Sequence, residues 1–68
     1  MNYTEIVNAI KNRRQELHMS QYGLSARCGI KQPSIARIEK GKEVQVKTLL
    51  KLCKALDLKI QLYKEDSL

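Results

Sequence analysis

Residues 20–41 read SQYGLSARCGIKQPSIARIEKG, and the spacing within them decides the fold. Ser20 is a good N-cap, because its hydroxyl can accept from one of the N–H groups that a helix leaves unpaired at its start. A short helix follows over 21–27, with Leu24 as its inward residue. Gly29 ends it, since glycine takes left-handed backbone at little steric cost. Pro33 is tolerated in the first turn of a helix but not in its interior. A further helix is therefore predicted over 32–39, with Ile35 and Ile38 inward and Gly41 as its stop. Two short helices crossing at about 90–120° through a tight turn need this pattern. Leu24, Cys28, Ile30, Ile35 and Ile38 supply the inner faces, Ser25 is small enough for close approach, and Gly29 permits the turn. One face of the second helix is left free.

Upstream, Asn2-x-x-Glu5 has the form of a capping box. Ile6, Ile10 and Leu17 recur at helical spacing with Val7 beside them, which predicts a helix over 3–17 with His18 and Met19 as its exit. Downstream, a helix over 47–56 carries Leu49, Leu50, Leu52, Cys53 and Leu56. The period then changes. Leu58, Ile60 and Leu62 alternate with Lys59 and Gln61, and Tyr63 faces with the polar set, so a strand is predicted over 58–64. Residues 65–68 read as a frayed end. The expected fold class is all-α, a four- to five-helix domain with one short C-terminal strand.

The chain of 68 residues has room for one domain. A chain this short buries only about 60% of its unfolded surface, and such a core supplies roughly 3–5 kcal/mol without help. Disulfides are not expected to help. Cys28 and Cys53 fall on inward stripes and read as packing residues. The N-terminus shows no basic and apolar leader pattern, and no apolar run approaches bilayer length. These features predict a cytoplasmic protein with reduced thiols and no membrane partner. One histidine and no Cys-x-x-Cys spacing predict no metal, and no other cofactor is expected. Subunit association is left as the source of extra stability. Thirteen Lys and Arg against seven Asp and Glu give +6, a field that attracts polyanions such as nucleic acid. No paired carboxylates, nucleophile–base couple or phosphate loop is present, so the chain is not expected to be an enzyme.

Taken together, Arg14, Met19-Ser20-Gln21, Leu24-Ser25, Cys28-Gly29-Ile30, Ser34-Ile35, Ile38-Glu39-Lys40-Gly41, Thr48-Leu49, Leu52-Cys53 and Leu56 give the chain its resemblance to a known family. It resembles the phage repressor and Cro-like helix-turn-helix proteins, also called the xenobiotic-response-element type, over about residues 5–58. Ser25 and Cys28 stand where that family more often has Ala and a larger aliphatic. The resemblance implies a helix-turn-helix domain over 1–57 whose third helix enters the major groove, which is wide enough to admit it. By the same resemblance Lys31, Gln32, Pro33, Ser34 and Arg37 are the base-reading residues. Their chemistry suits the role, since Gln pairs with adenine, Arg with guanine and Ser with either kind of edge. Pro33 offers only apolar contact, such as to a thymine methyl.

The resemblance also implies phosphate contacts, which fix register rather than sequence, from Gln21, Lys40, Lys47 and Arg14. Lys47 at a helix start opposes the macrodipole, a placement that makes sense if an anion is expected there. Arg14 and Glu39 match a partly buried family ion pair that links the first helix to the end of the third.

A lone strand over 58–64 needs partners for its backbone groups, and an isolated edge is a template for pairing. A second copy pairing about a two-fold axis is the simplest answer, with Leu58, Ile60 and Leu62 on the buried side. The expected partner set is thus double-stranded DNA and a second copy in a homodimer. Reading helices about 34 Å apart would then match successive major grooves. The ending Ala55-Leu56-Asp57-Leu58-Lys59-Ile60-Gln61-Leu62 looks like the HipB-like antitoxins that partner kinase-type toxins, which implies a toxin protein as a further partner. The reading is a dimeric transcriptional repressor on an inverted-repeat operator, an antitoxin in its narrower form. The alternative is a restriction–modification controller or prophage regulator with no toxin partner.

Overall fold

In the computed structural model, which describes residues 1–66, four helices follow one another: α1 (Tyr3–Glu16), α2 (Gln21–Cys28), α3 (Gln32–Glu39) and α4 (Val46–Ala55). Their starts follow local chemistry. Asn2 Oδ1 accepts from the Glu5 N–H at 2.9 Å, and Ser20 Oγ accepts from the Gly23 N–H at 2.9 Å. Pro33 sits in the first turn of α3, where its missing N–H has no intrahelical acceptor to lose. Each boundary lies within a residue of the expected one, the usual scatter of frayed ends.

The helix ends share one device. Gly29 (φ 78°) and Gly41 (φ 88°) take left-handed backbone after α2 and α3, but His18 (φ 56°) and Asp57 (φ 55°) do so after α1 and α4. His and Asp are among the non-glycine residues most often found there. The chain then folds back so that the Met19 N–H reaches Arg14 O at 3.1 Å, the Lys42 N–H Arg37 O at 3.1 Å and the Leu58 N–H Cys53 O at 2.8 Å. These bonds satisfy carbonyls that a helix end otherwise leaves unpaired.

The core is one cluster of Ile10, Leu24, Ile35, Ile38, Leu49, Leu52, Cys53 and Leu56, drawn from all four helices. Val7 is buried beside it, while Ile6, Leu17, Ile30 and Cys28 pack against it half-buried. Leu50 departs from the expected stripe and is 49% exposed. Two polar contacts from α1 tie distant chain together. Arg13 Nε donates to Leu56 O at 2.9 Å, across the end of α4, and the Tyr3 hydroxyl donates to the carbonyl of Lys42.

The tail corrects one expectation. Among the described residues there is no strand over 58–64, because a strand needs a hydrogen-bonding neighbour and the single chain offers none. Leu58 instead closes α4 and packs half-buried on the core, while Ile60 and Leu62 are exposed, Leu62 at 95%. Of the expected frayed end, Glu65 and Asp66 are exposed, and residues 67–68 lie outside the described residues. Among the described residues no helix is long and apolar enough to cross a membrane.

Candidate nucleic-acid interface

The site is organised by a chain of polar contacts at the start of α3. Gln32, its first residue, donates from Nε2 to Gln21 Oε1 at 2.9 Å. Gln21, the first residue of α2, donates in turn from Nε2 to Glu39 Oε1 at 3.1 Å. Glu39, the last residue of α3, accepts a two-pronged contact from Arg14: Nε to Oε2 at 2.8 Å and Nη2 to Oε1 at 2.9 Å. Arg14 Nη1 also donates to Met19 O at 2.7 Å. Both ends of α3 are thereby fastened to α1 and α2 by side chains, while Ile35 and Ile38 anchor its middle in the core.

The electrostatics of the network follow from its burial. The side chains of Arg14 and Glu39 are only 11% and 3% exposed. Burial pushes the Glu39 carboxyl up, but hydrogen bonds from Arg14 and Gln21 and the charges of Arg14 and Lys11 outweigh it. The net result is a carboxyl held below its ordinary value. Arg14 moves the other way: its hydrogen bond to Glu39 raises it against the cost of desolvation. The pair is therefore charged on both sides at neutral pH, and a planar fork matched to a carboxylate is the strong geometry for such a pair. No buried side-chain polar atom among the described residues is without a partner.

Around this frame the remaining candidates divide. Lys31, the N-cap residue of α3, is exposed, as are Pro33, Ser34 and Arg37 on the helix, and Gln32 is half-buried. Ser34 and Arg37 lie one turn apart, hence on one side of the helix, and share a shallow groove with Glu43, Val44, Gln45 and Thr48. The start of α4 thus adjoins the exposed side of α3. Lys40, which caps α3, and Lys47, in the first turn of α4, are exposed and outside the network. Arg14 is 9% exposed and spends three of its N–H groups inside the protein, so its direct work is structural. Gln32 has one amide N–H and its carbonyl oxygen left over, the pair of groups that an adenine edge requires.

Sequence reasoning missed two parts of this arrangement. The Gln21–Gln32 contact joins residues eleven apart, and only the crossing of α2 and α3 brings them together. The Met19 carbonyl as an Arg14 acceptor has no side-chain signature. Cys53 is buried, and desolvation raises its thiol above the ordinary value, which leaves it protonated and inert. Among the described residues no group of His, Cys, Asp or Glu is placed to hold a metal ion.

Comparison with known proteins adds the following. The helix-turn-helix family profile matches residues 10–63. An uncharacterized HTH-type transcriptional regulator of Haemophilus influenzae is 48% identical over 48 residues, 69% of this chain and 49% of that protein. The chain therefore spans about half the length of that curated relative. Among solved structures, one described as MDT protein superposes with a TM-score of 0.85 at 29% identity, covering 94% of this chain and 92% of that one. A HipB variant in an O2 20mer complex gives 0.84 at 29% identity, covering 94% and 90%.

Proposed function

This chain belongs to the Cro/C1-type helix-turn-helix family of DNA-binding transcriptional regulators, and from that premise we propose that it is a cytoplasmic, dimeric repressor. In this reading α3 enters the major groove of an inverted-repeat operator. One observation carries it: Pro33, Ser34 and Arg37, with Lys31 at the N-cap, stand exposed on a helix whose two ends are fastened by Gln32–Gln21 and by Glu39–Arg14. A reading helix must hold its side chains within a fraction of an ångström of the base edges, and buried side-chain contacts at both ends do that. Lys31, Gln32, Pro33, Ser34 and Arg37 read bases, while Gln21, with its one spare N–H, and the exposed Lys40 and Lys47 hold phosphates. Arg14 serves the phosphate set by positioning α3 through Glu39. The family is one of regulators, not a class of enzymes.

The exposed tail supports the dimer. Ile60 and Leu62 lie open to solvent in a row with half-buried Leu58, and pairing of two such tails covers both the apolar side chains and the free backbone groups. The likeness to the HipB variant over 94% of the chain favours the narrower reading of an antitoxin that represses its own operon and binds a toxin.

Selection from a pool of random duplexes tests the operator reading. An inverted repeat with half-sites about one helical turn apart is expected, and enrichment of no sequence would sink it. Sedimentation at micromolar concentration tests the dimer, and a monomer would refute it. The antitoxin reading predicts that co-expression relieves growth arrest by a kinase-type toxin from the same operon.

A further inference from the structure

Away from α3, one flank of the molecule carries a single sign of charge. Lys47, Lys51 and Lys54 recur along α4 at spacings of four and three, so they share one helical face. Lys51 and Lys54 meet Arg27, in the last turn of α2, around an open groove of about 390 Å³ floored by Cys28 and Ala55. The three cations are exposed and the two floor residues half-buried. None of the three has a carboxylate within ion-pair distance among the described residues, and neither α2 nor α4 contains an Asp or Glu.

Folding does not account for this crowding. Like charges one turn apart destabilise a helix, and a carboxylate at 51 or 54 would relieve the repulsion without loss of solubility. A basic rim over a small apolar floor suits carboxylate side chains, whose stems can lie on Cys28 and Ala55 while their oxygens meet Arg27, Lys51 and Lys54. DNA is the other polyanion to weigh. The start of α4 adjoins the exposed side of α3, and Lys51 and Lys54 stand about 6 and 10 Å further along the axis than Lys47. The groove on the exposed side of α3 takes only Thr48 from α4, and it shares no residue with the groove of Arg27, Lys51 and Lys54.

We propose that the Arg27–Lys51–Lys54 flank docks an acidic segment of a partner protein, on a face that stays open while DNA is bound. The inference rests on the operator reading only for where the duplex sits.

The test titrates a fluorescent oligoglutamate peptide into the full chain already saturated with a selected duplex. At roughly 0.15 M salt, charges more than about 8 Å apart are largely screened, so local contacts dominate. Saturable peptide binding is expected. The combined variant Arg27→Gln, Lys51→Gln, Lys54→Gln should weaken it about tenfold while duplex affinity stays within about threefold. Lys47→Ala should do the reverse, weakening the duplex and sparing the peptide. Because all three replaced side chains face solvent, thermal melting of the combined variant should match the parent; if it does not fold, Lys51→Gln alone carries the test with a smaller loss. Displacement of the peptide by duplex, or a fall in duplex affinity as large as that for the peptide, would make the flank a phosphate contact and overturn the proposal. Peptide binding that persists in a protein with no duplex selectivity would uphold the docking face and count only against the operator reading.

Discussion

Gln32 Nε2 lies 2.9 Å from Gln21 Oε1, so the first residues of α2 and α3 hold each other by their side chains. That contact fixes the rotamer of Gln32 before any DNA arrives, and Gln21 transmits the restraint to Glu39 and Arg14.

Replacing Gln21 by Ala therefore has two effects of different size. Loss of one neutral and one charge-assisted hydrogen bond costs about 1–3 kcal/mol of stability, read from urea unfolding. The larger expected effect is on selectivity, since Gln32 becomes free to rotate. Operator affinity should fall further than affinity for random duplex, and an equal fall in both would show that Gln21 does no more than touch phosphate.

Glu39 makes stability depend on acid. Its carboxyl is held below the ordinary value of 4.5, so the folded state binds that proton less readily than the unfolded state does. The contribution is fully present above about pH 5, and it is lost as pH falls through the ordinary value and then the depressed one. Urea midpoints measured from pH 7 down to 2 should drop in that window, and Glu39→Gln should flatten the drop. Glu39→Ala leaves Arg14 buried and uncompensated, which costs roughly 3–5 kcal/mol.

Much of the fold was legible in the sequence because its signals are local. Asn2, Ser20, Gly29, Pro33 and Gly41 act on their own neighbours, and a helix start or stop needs nothing more distant. The tail was not legible in the same way. Alternation over 58–62 states which side chains share a face, but a strand exists only when another strand lies beside it. Leu50 misled for a related reason, since α4 is apolar on more of its circumference than this chain covers. The Gln21–Gln32 contact depends on a crossing angle that no spacing encodes.

Gly29, like Gly41, is a turn position where the backbone tolerates little else. At φ 78° a Cβ meets no neighbour within 4 Å, so Gly29→Ala is strained by its backbone alone, at about 1–2 kcal/mol. Calorimetry should show a fall in Tm of roughly 4–8 °C per kcal/mol for a domain this small. Asp57→Gly, at φ 55°, should cost little or raise Tm slightly, because the relieved strain offsets the added freedom of the unfolded chain.

Arg37 and Lys47 should separate by kind. Arg37→Ala is expected to relax one base position in each half-site at about 1–3 kcal/mol, whereas Lys47→Ala should weaken all duplexes alike and lower the salt slope by about one. Binding measured at several salt concentrations, on operator and on random duplex, distinguishes them. A uniform loss for Arg37→Ala would remove it from the base-reading set.

The two neighbouring arginines of α1 have a bearing on how the chain folds. Arg13 reaches a carbonyl 43 residues away and Arg14 a carboxylate 25 residues away, while α2 and α3 are joined by only three residues. Closing long loops is entropically slow, and contacts distant in sequence form late when nearer ones are at hand. The α2–α3 pair is thus expected to condense first, with the arginine contacts of α1 latching onto the rest on the far side of the folding barrier. The arginines then act mainly as a brake on opening. Replacing either should speed unfolding and leave the rate of folding almost unchanged, a lopsided shift in the two arms of the chevron.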